Sequence, residues 1–316
     1  MQPRRLGRTS LSIAPLVFGG NVFGWTADRQ TSFALLDRFS EAGLNAIDTA
    51  DVYSAWAPGN KGGESEAIIG EWMKSRGNRN KIVVITKVGS PMGEGRQGLS
   101  ARYIAEAMEA SLKRLQSGYI DLYLSHWPDA ETPYDETLGA FAKLMMAGKV
   151  RAIGASNLDA AQMRAALDVA RKNALPRYDV LQPEYNLYDR RSFDGALRDL
   201  CMKEEIGIIT YFSLAKGFLS GKYRSEADLG KSVRGGGVKT YLNPRGMRVL
   251  AALDAVAAKH KANQAEVALA WLIARPGITA PIASATSLAQ VDSLIKAAAL
   301  TLDAGDIAAL DKASGA

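Results

Sequence analysis

Along the whole chain, short aliphatic and β-branched runs alternate with longer stretches whose apolar positions recur every three or four residues. Eight runs have the length and residue types of strands: 16–19, 45–48, 82–87, 120–124, 150–154, 180–182, 206–211 and 280–283. The stretches between them read as helices. Ile104, Met108, Leu112 and Leu115 share one helical face, as do Met163, Leu167 and Ala170. Ser100, three residues before Tyr103, predicts a helix cap, and Thr132-Pro133 places a proline near a first turn. Eight strands alternating with eight helices over 316 residues predict an α/β protein, a closed (β/α)8 TIM barrel.

An open doubly wound sheet is the rival, and it would carry a glycine fingerprint after its first strand. Gly19-Gly20-Asn21-Val22-Phe23-Gly24 does not match G-x-G-x-x-G. Strand spacing is even until the seventh strand. About 68 residues then separate Tyr211 from Ala280, against about 30 for a whole βα unit. That excess holds Gly217, Gly221, Gly230 and Gly235-Gly236-Gly237, followed by helical patterns over 244–260 and 263–275. The stretch 217–243 therefore reads as a long, mobile loop. No linker or internal repeat divides residues 1–316, which predicts a single domain.

Composition narrows the function classes. Charged residues interrupt every apolar stretch before 18 positions, so no membrane span is expected. Met1-Gln2-Pro3-Arg4-Arg5-Leu6-Gly7 lacks the apolar core of a secretory signal. The single cysteine, Cys201, excludes an internal disulfide and any metal or redox site that needs two thiolates. No metal is expected, the reducing cytoplasm is the expected location, and Cys201 reads as a buried core thiol. Thirty-nine basic against 33 acidic residues give a net charge of +6, which suits an anionic small ligand. The cations are dispersed, so neither nucleic acid nor membrane is an expected partner.

In barrel enzymes the reactive groups lie at the carboxyl ends of strands. Asp48, Lys87 and His126 fall at the ends of three consecutive strands, each in step with its strand's inward face. Adjacent strands would bring Asp48 and Lys87 into a buried ion pair, with His126 one strand further on. Tyr53, five residues past Asp48, would lean over the mouth. A buried ammonium favours phenolate and so would lower the Tyr53 pKa, fitting this phenol to protonate a carbonyl oxygen as hydride reaches the carbon. Taken singly, a strand-end Asp or Lys is commonly a structural ion pair and a lone His a satisfied hydrogen bonder. Convergence at one mouth turns the reading toward chemistry.

These residues resemble the aldo-keto reductases, NAD(P)-dependent (β/α)8 barrels. Gly43-Leu44-Asn45-Ala46-Ile47-Asp48-Thr49-Ala50-Asp51-Val52-Tyr53 is similar to that family's signature around its catalytic Asp and Tyr. Thr86-Lys87 resembles its catalytic lysine strand, and Tyr119-Ile120-Asp121-Leu122-Tyr123-Leu124-Ser125-His126-Trp127-Pro128 its histidine segment. The likeness runs on through Lys149 to Asn157, Gln182-Pro183-Glu184-Tyr185-Asn186 and Tyr211 to Tyr223. The long loop resembles the bacterial and potassium-channel β-subunit branch. The resemblance implies that Asp48, Tyr53, Lys87 and His126 are catalytic and that 213–243 covers a cofactor. It implies that Ser156, Asn157 and Gln182 bind the nicotinamide carboxamide and that Tyr211 stacks on the ring. Ser213, Leu214, Gly217 and Leu219 would cradle the pyrophosphate, with Lys222 or Arg234 supplying charge.

Near the eighth strand the chain departs from the family pattern. Ser284-Ala285-Thr286-Ser287 stands where the family carries an arginine for the adenosine 2′-phosphate, and Leu294 stands where an asparagine reads adenine. Ala285, Thr286 and Gln290 remain on that side. NADP (as NADPH) is favoured by the resemblance and the positive charge, with NAD as the alternative. Trp25, Trp56 and Trp127 read as walls of a pocket for a small carbonyl substrate. Two rivals remain. A Schiff-base lysine would have to be neutral, which Asp48 argues against. A nucleotide-binding regulatory module, as in channel β-subunits, would keep the cofactor and act on a protein partner that the sequence does not identify.

Overall fold

The inward half of each apolar run becomes the lining of a barrel. In the computed structural model, which describes residues 2–93 and 95–315, eight parallel strands close on themselves. They are β3 (Val17–Gly19), β4 (Ala46–Asp48), β5 (Val83–Val88), β6 (Ile120–Ser125), β7 (Val150–Ser156), β8 (Val180–Gln182), β9 (Gly207–Thr210) and β10 (Ala280–Ala283). The last strand pairs with both β9 and β3, so the barrel has no open edge. Chain alternation sorts the side chains into two cores. Ala46, Val83, Ile85, Leu122, Leu124, Ala152, Val180 and Ile209 fill the interior. Ile47, Val84, Val88, Tyr123 and Ile153 face outward and pack against the helices. The (β/α)8 expectation holds.

Two further strands, β1 (Arg4–Arg5) and β2 (Ser12–Ile13), form an antiparallel hairpin ahead of the barrel, which the sequence pattern did not suggest. Leu6, Leu11 and Ile13 join the interior core from this hairpin. Its turn glycine, Gly7, has φ 60° and lies so close to the barrel that a Cβ would meet the Asp179 carbonyl at 2.3 Å. Only glycine fits both demands.

The helices are α1 (Arg29–Glu41), α2 (Glu64–Arg76), α3 (Ala101–Leu115), α4 (Tyr134–Met146), α5 (Ala160–Lys172), α6 (Ala196–Lys203), α7 (Pro244–His260), α8 (Gln264–Ala274), α9 (Leu288–Ala299) and α10 (Ala304–Ser314). Ten helices are described where simple alternation predicts eight, because β9 is followed by the pair α7–α8 and the chain closes with α10 against α7. Ser100 caps α3 by accepting from the Tyr103 amide at 3.3 Å, as its spacing predicts. Pro133 stands at the N-cap of α4, one residue outside the helix. Pro244 opens α7 at its first position, where no amide hydrogen is needed. Cys201 is buried in α6, and burial pushes its thiol up to about 12.

The stretch read as one long loop is built more tightly than its glycines suggest. Between β9 and α7 the chain makes three successive 3-10 turns, Ala215–Ser220, Glu226–Lys231 and Gly235–Tyr241. Phe218, Tyr223, Val238 and Tyr241 are buried, and the Tyr223 hydroxyl shares a 2.6 Å hydrogen bond with Ser232. Among the described residues no helix is long and apolar enough to cross a membrane, and no cluster of three metal-ligating side chains occurs.

Candidate active site

Strand register assembles a charged cluster at the carboxyl end of the barrel. Asp48 ends β4 directly across from Ile85, and the in-step residue two further along β5 is Lys87. Lys87 Nζ, fully buried, donates to Asp48 Oδ2 at 2.8 Å, to the Thr49 carbonyl at 2.8 Å and to the Tyr53 hydroxyl at 2.7 Å. The Tyr53 hydroxyl lies 3.2 Å from Asp48 Oδ2, and Gln182 Nε2 donates to Asp48 Oδ1 at 2.7 Å. Every donor on the ammonium and both carboxylate oxygens are thus used, the condition under which a buried ion pair is tolerated.

His126 completes the cluster. Its ring centroid is 6.0 Å from that of Tyr53, and Nδ1 shares a 2.9 Å hydrogen bond with the Ser90 hydroxyl. Burial, assisted by Lys87, drives the imidazole well below its ordinary range, so it is neutral at pH 7. Burial likewise lowers the Lys87 ammonium, with Asp48 opposing. The Tyr53 phenol runs opposite to the expectation from charge alone. Burial, then the Asp48 carboxylate, hold it well above its ordinary range. The phenolate would have to form in a site stripped of water, and that cost exceeds the attraction of the cation.

A cavity of about 890 Å³ opens over this cluster. Asp48, Tyr53, His126, Trp56, Trp127, Ser156, Asn157, Gln182, Tyr211, Ser213, Leu214, Gly217, Lys222, Arg234, Thr286 and Gln290 all line it, so most sequence-predicted residues meet in one place. Lys87 lies beneath the floor and reaches it only through Tyr53 and Asp48. Trp25 does not line the cavity but packs edge-on against Trp56, ring centroids 5.8 Å apart. Leu219 and Ala285 are buried away from it, and the Leu219 amide already donates to the Leu214 carbonyl at 3.2 Å.

Around the mouth the amide side chains are tied to one another. Asn157, held at φ 62°, donates to the His126 carbonyl at 2.9 Å and accepts from the Tyr211 hydroxyl at 2.7 Å. Ser156 Oγ donates to the Gln182 carbonyl at 2.7 Å. On the side of α9, Gln290 Oε1 accepts from the Thr286 amide at 2.8 Å, so these polar groups satisfy each other. The segment after β9 differs. Phe212, Ala215 and Lys216 have positive φ without being glycine, beside Gly217 at φ 101°. Such a run is costly and is retained where a loop has a task. Arg234 stacks its guanidinium 5.1 Å over the Trp25 ring, and its buried Nη2 has no hydrogen-bond partner.

Sequence reasoning missed Ser90, which engages His126, and the cavity residues Asn21, Glu184, Lys216 and Asn263. Asn263 carries a signal of another kind, since with Glu266 it forms the capping box of α8. Ser90 sits in a bend after β5 and Asn21 in a single 3-10 turn over Gly20–Val22, both too short for periodicity to mark a direction.

The model of the aldo/keto reductase family matches residues 15–314. The Escherichia coli protein tas is 30% identical over 336 residues, covering 98% of this chain and 97% of that protein. The Bacillus subtilis aldo-keto reductase YhdN is 32% identical, covering 94% of this chain and 87% of its own length. A rice protein described as a probable voltage-gated potassium channel subunit beta is also 32% identical, covering 94% of this chain and 91% of its own.

Proposed function

The chain belongs to the aldo/keto reductase family of oxidoreductases, and from that premise we propose that it reduces aldehyde or ketone carbonyls to alcohols with a nicotinamide nucleotide. The observation that carries the reading is the Tyr53 hydroxyl at the cavity floor, hydrogen-bonded to Lys87 at 2.7 Å and to Asp48 at 3.2 Å. The donor set fits an anionic dinucleotide, because the unpartnered Arg234 Nη2 beside Lys222 and Lys216 calls for phosphate oxygens. Bound nucleotide supplies the hydride.

The chain's own residues do the rest. Tyr53, held protonated by burial and Asp48, donates its proton to the carbonyl oxygen. As the phenol gives up that proton, the Lys87 ammonium already bonded to its oxygen forms an ion pair with the phenolate and stabilises the oxygen left behind. Neutral His126, its Nδ1 occupied by Ser90, presents Nε2 to the same substrate oxygen. Asp48 keeps Lys87 charged and in place. Ser156, Asn157 and Gln182 would hold the nicotinamide end with Tyr211 against it, and Ser213, Leu214 and Gly217 would lie along the pyrophosphate, with Lys222 or Arg234 taking its charge. Thr286 and Gln290 would lie on the adenosine side, with NADPH preferred over NADH. Trp56 and Trp127, each 48% exposed, flank the catalytic end and favour a carbonyl with an apolar or aromatic neighbour.

The likeness to the rice channel-subunit protein supports a second reading, a nucleotide-binding regulatory module acting in the cytoplasm. A panel of aldehydes, ketones and sugars assayed with NADPH and NADH separates the two. Carbonyl-dependent nucleotide oxidation with alcohol formation supports the enzyme. Tight nucleotide binding without turnover across the panel supports the module.

A further inference from the structure

Behind the catalytic cluster, between β5, β6 and the helices α2 and α3, lies a second set of buried ionisable groups that the proposed chemistry does not use. Glu66 on α2 is fully buried and accepts from Thr86 Oγ1 at 2.6 Å and from Arg114 Nε on α3 at 2.7 Å. Asp51, between Asp48 and Tyr53 in the chain, is 1% exposed, and neither of its carboxyl oxygens has a hydrogen-bond partner. Its backbone amide donates to the Lys87 carbonyl at 3.3 Å, which pins it to the strand that carries the catalytic lysine. The Tyr123 hydroxyl on β6 is equally buried and unpartnered, and Tyr103 on α3 is 7% exposed.

Two carboxyls therefore share one arginine in a dry layer. Glu66 holds the arginine directly, which leaves Asp51 without a counter-ion of its own. An isolated buried carboxylate is strongly disfavoured, so a carboxyl in this position keeps its proton. Burial first, and then the Glu66 charge, push Asp51 up to about 8, against the opposing pull of Arg114, the nearby Val52 backbone amide and Lys87. The charges of Asp51 and Lys87 act on each other.

We propose that Asp51 is a positioning residue that acts through Lys87: protonated, it leaves the ammonium's field on the Tyr53 oxygen intact, and ionised, it weakens that field from behind. The proposal rests on the carbonyl-reductase reading. It deepens that reading by adding a proton-dependent control to the same site. As pH rises through about 8 the layer gains a negative charge, Tyr53 gives up its proton less readily and reduction slows. Through an effective dielectric near ~20, a unit charge on the order of 10 Å away alters such a step about tenfold to twentyfold.

Stability follows the same proton. The folded-state value of Asp51 lies above that of an unfolded aspartate, so its contribution is complete in acid. That contribution is lost progressively as pH climbs from the ordinary carboxylate range to about 8.

The test is the pH profile of carbonyl reduction in the wild type and in Asp51→Asn, which is isosteric with the protonated acid. The wild type should show a step of about tenfold to twentyfold near pH 8 that the variant lacks, the variant following the acid-side plateau throughout. Superimposable profiles would overturn the proposal and leave the enzyme reading standing. A wild type with no turnover at any pH would overturn both. Infrared titration of the wild type needs no variant. A protonated-carboxyl band present at pH 7 and lost near pH 8 supports the proposal, and its absence at pH 7 overturns it.

Discussion

The corner proposed for catalysis and the arc proposed for the nucleotide, two sides of one cavity, are built on opposite principles. At the corner, Asp48, Lys87 and Tyr53 satisfy one another at 2.7–3.2 Å before any ligand arrives. Along the arc after β9, Arg234 keeps an unpartnered buried nitrogen, and Phe212, Ala215, Lys216, Gly217 and Gly221 hold left-handed backbone angles. A closed set of charges costs little to reorganise during reaction, which suits transition-state work. An open set of donors gains most when an anion completes it, which suits binding. The difference also predicts how each region fails when altered.

The largest effect is expected at the corner. Tyr53→Phe removes the proton donor but none of the groups proposed to hold nucleotide, so steady-state turnover should fall about 10²–10⁴-fold while nucleotide affinity, read by tryptophan fluorescence quenching, stays near wild type. Near wild-type turnover would take the phenol out of the mechanism. Next comes Lys87→Met, which leaves Asp48 buried with Gln182 as its remaining side-chain donor beside Tyr53. Thermal unfolding should register a loss of about 3 kcal/mol, and turnover should fall further than that loss explains. An unchanged profile of rate against pH would show that the ammonium does not tune the phenol.

The arc should respond in binding and hardly in chemistry. Arg234→Ala should weaken NADPH and NADH alike, about tenfold to a hundredfold, the worth of one or two charge-assisted hydrogen bonds to the pyrophosphate that both carry. The rate at saturating nucleotide should change little. If the variant binds both nucleotides as the wild type does, the guanidinium serves only to hold the 213–243 segment, a strap over the barrel mouth, against Trp25. The smallest effect is expected from Gln290→Ala, whose carbonyl oxygen is already taken up by Thr286, with a change of a few-fold in NADPH affinity.

The same contrast explains what the sequence reveals. The corner lies on strands, where a period of two fixes which side chains face inward, so Asp48, Lys87 and His126 are legible at once. The arc lies on turns, where direction depends on individual backbone angles. There Leu219 and Ala285 turn out to be buried, while Lys216 and Asn263 join the cavity unforeseen. Glycine content alone reads as looseness, yet Phe218, Val238 and Tyr241 tuck the strap down. The N-terminal hairpin was invisible because two-residue strands carry no alternation. The direction of the Tyr53 shift was misread for a different reason: a sequence shows a neighbouring charge but not how completely water is excluded.

The central claim is that hydride reaches a carbonyl carbon in this cavity, and isotopic labelling tests it most directly. Nucleotide deuterated at the transferable position, incubated with an aromatic aldehyde and the wild-type chain, should yield alcohol carrying one deuterium on the carbinol carbon. The yield should match the nucleotide consumed, and Tyr53→Phe should produce the same labelled alcohol far more slowly. Nucleotide oxidation without labelled alcohol, or no oxidation across the carbonyl panel, would contradict the account.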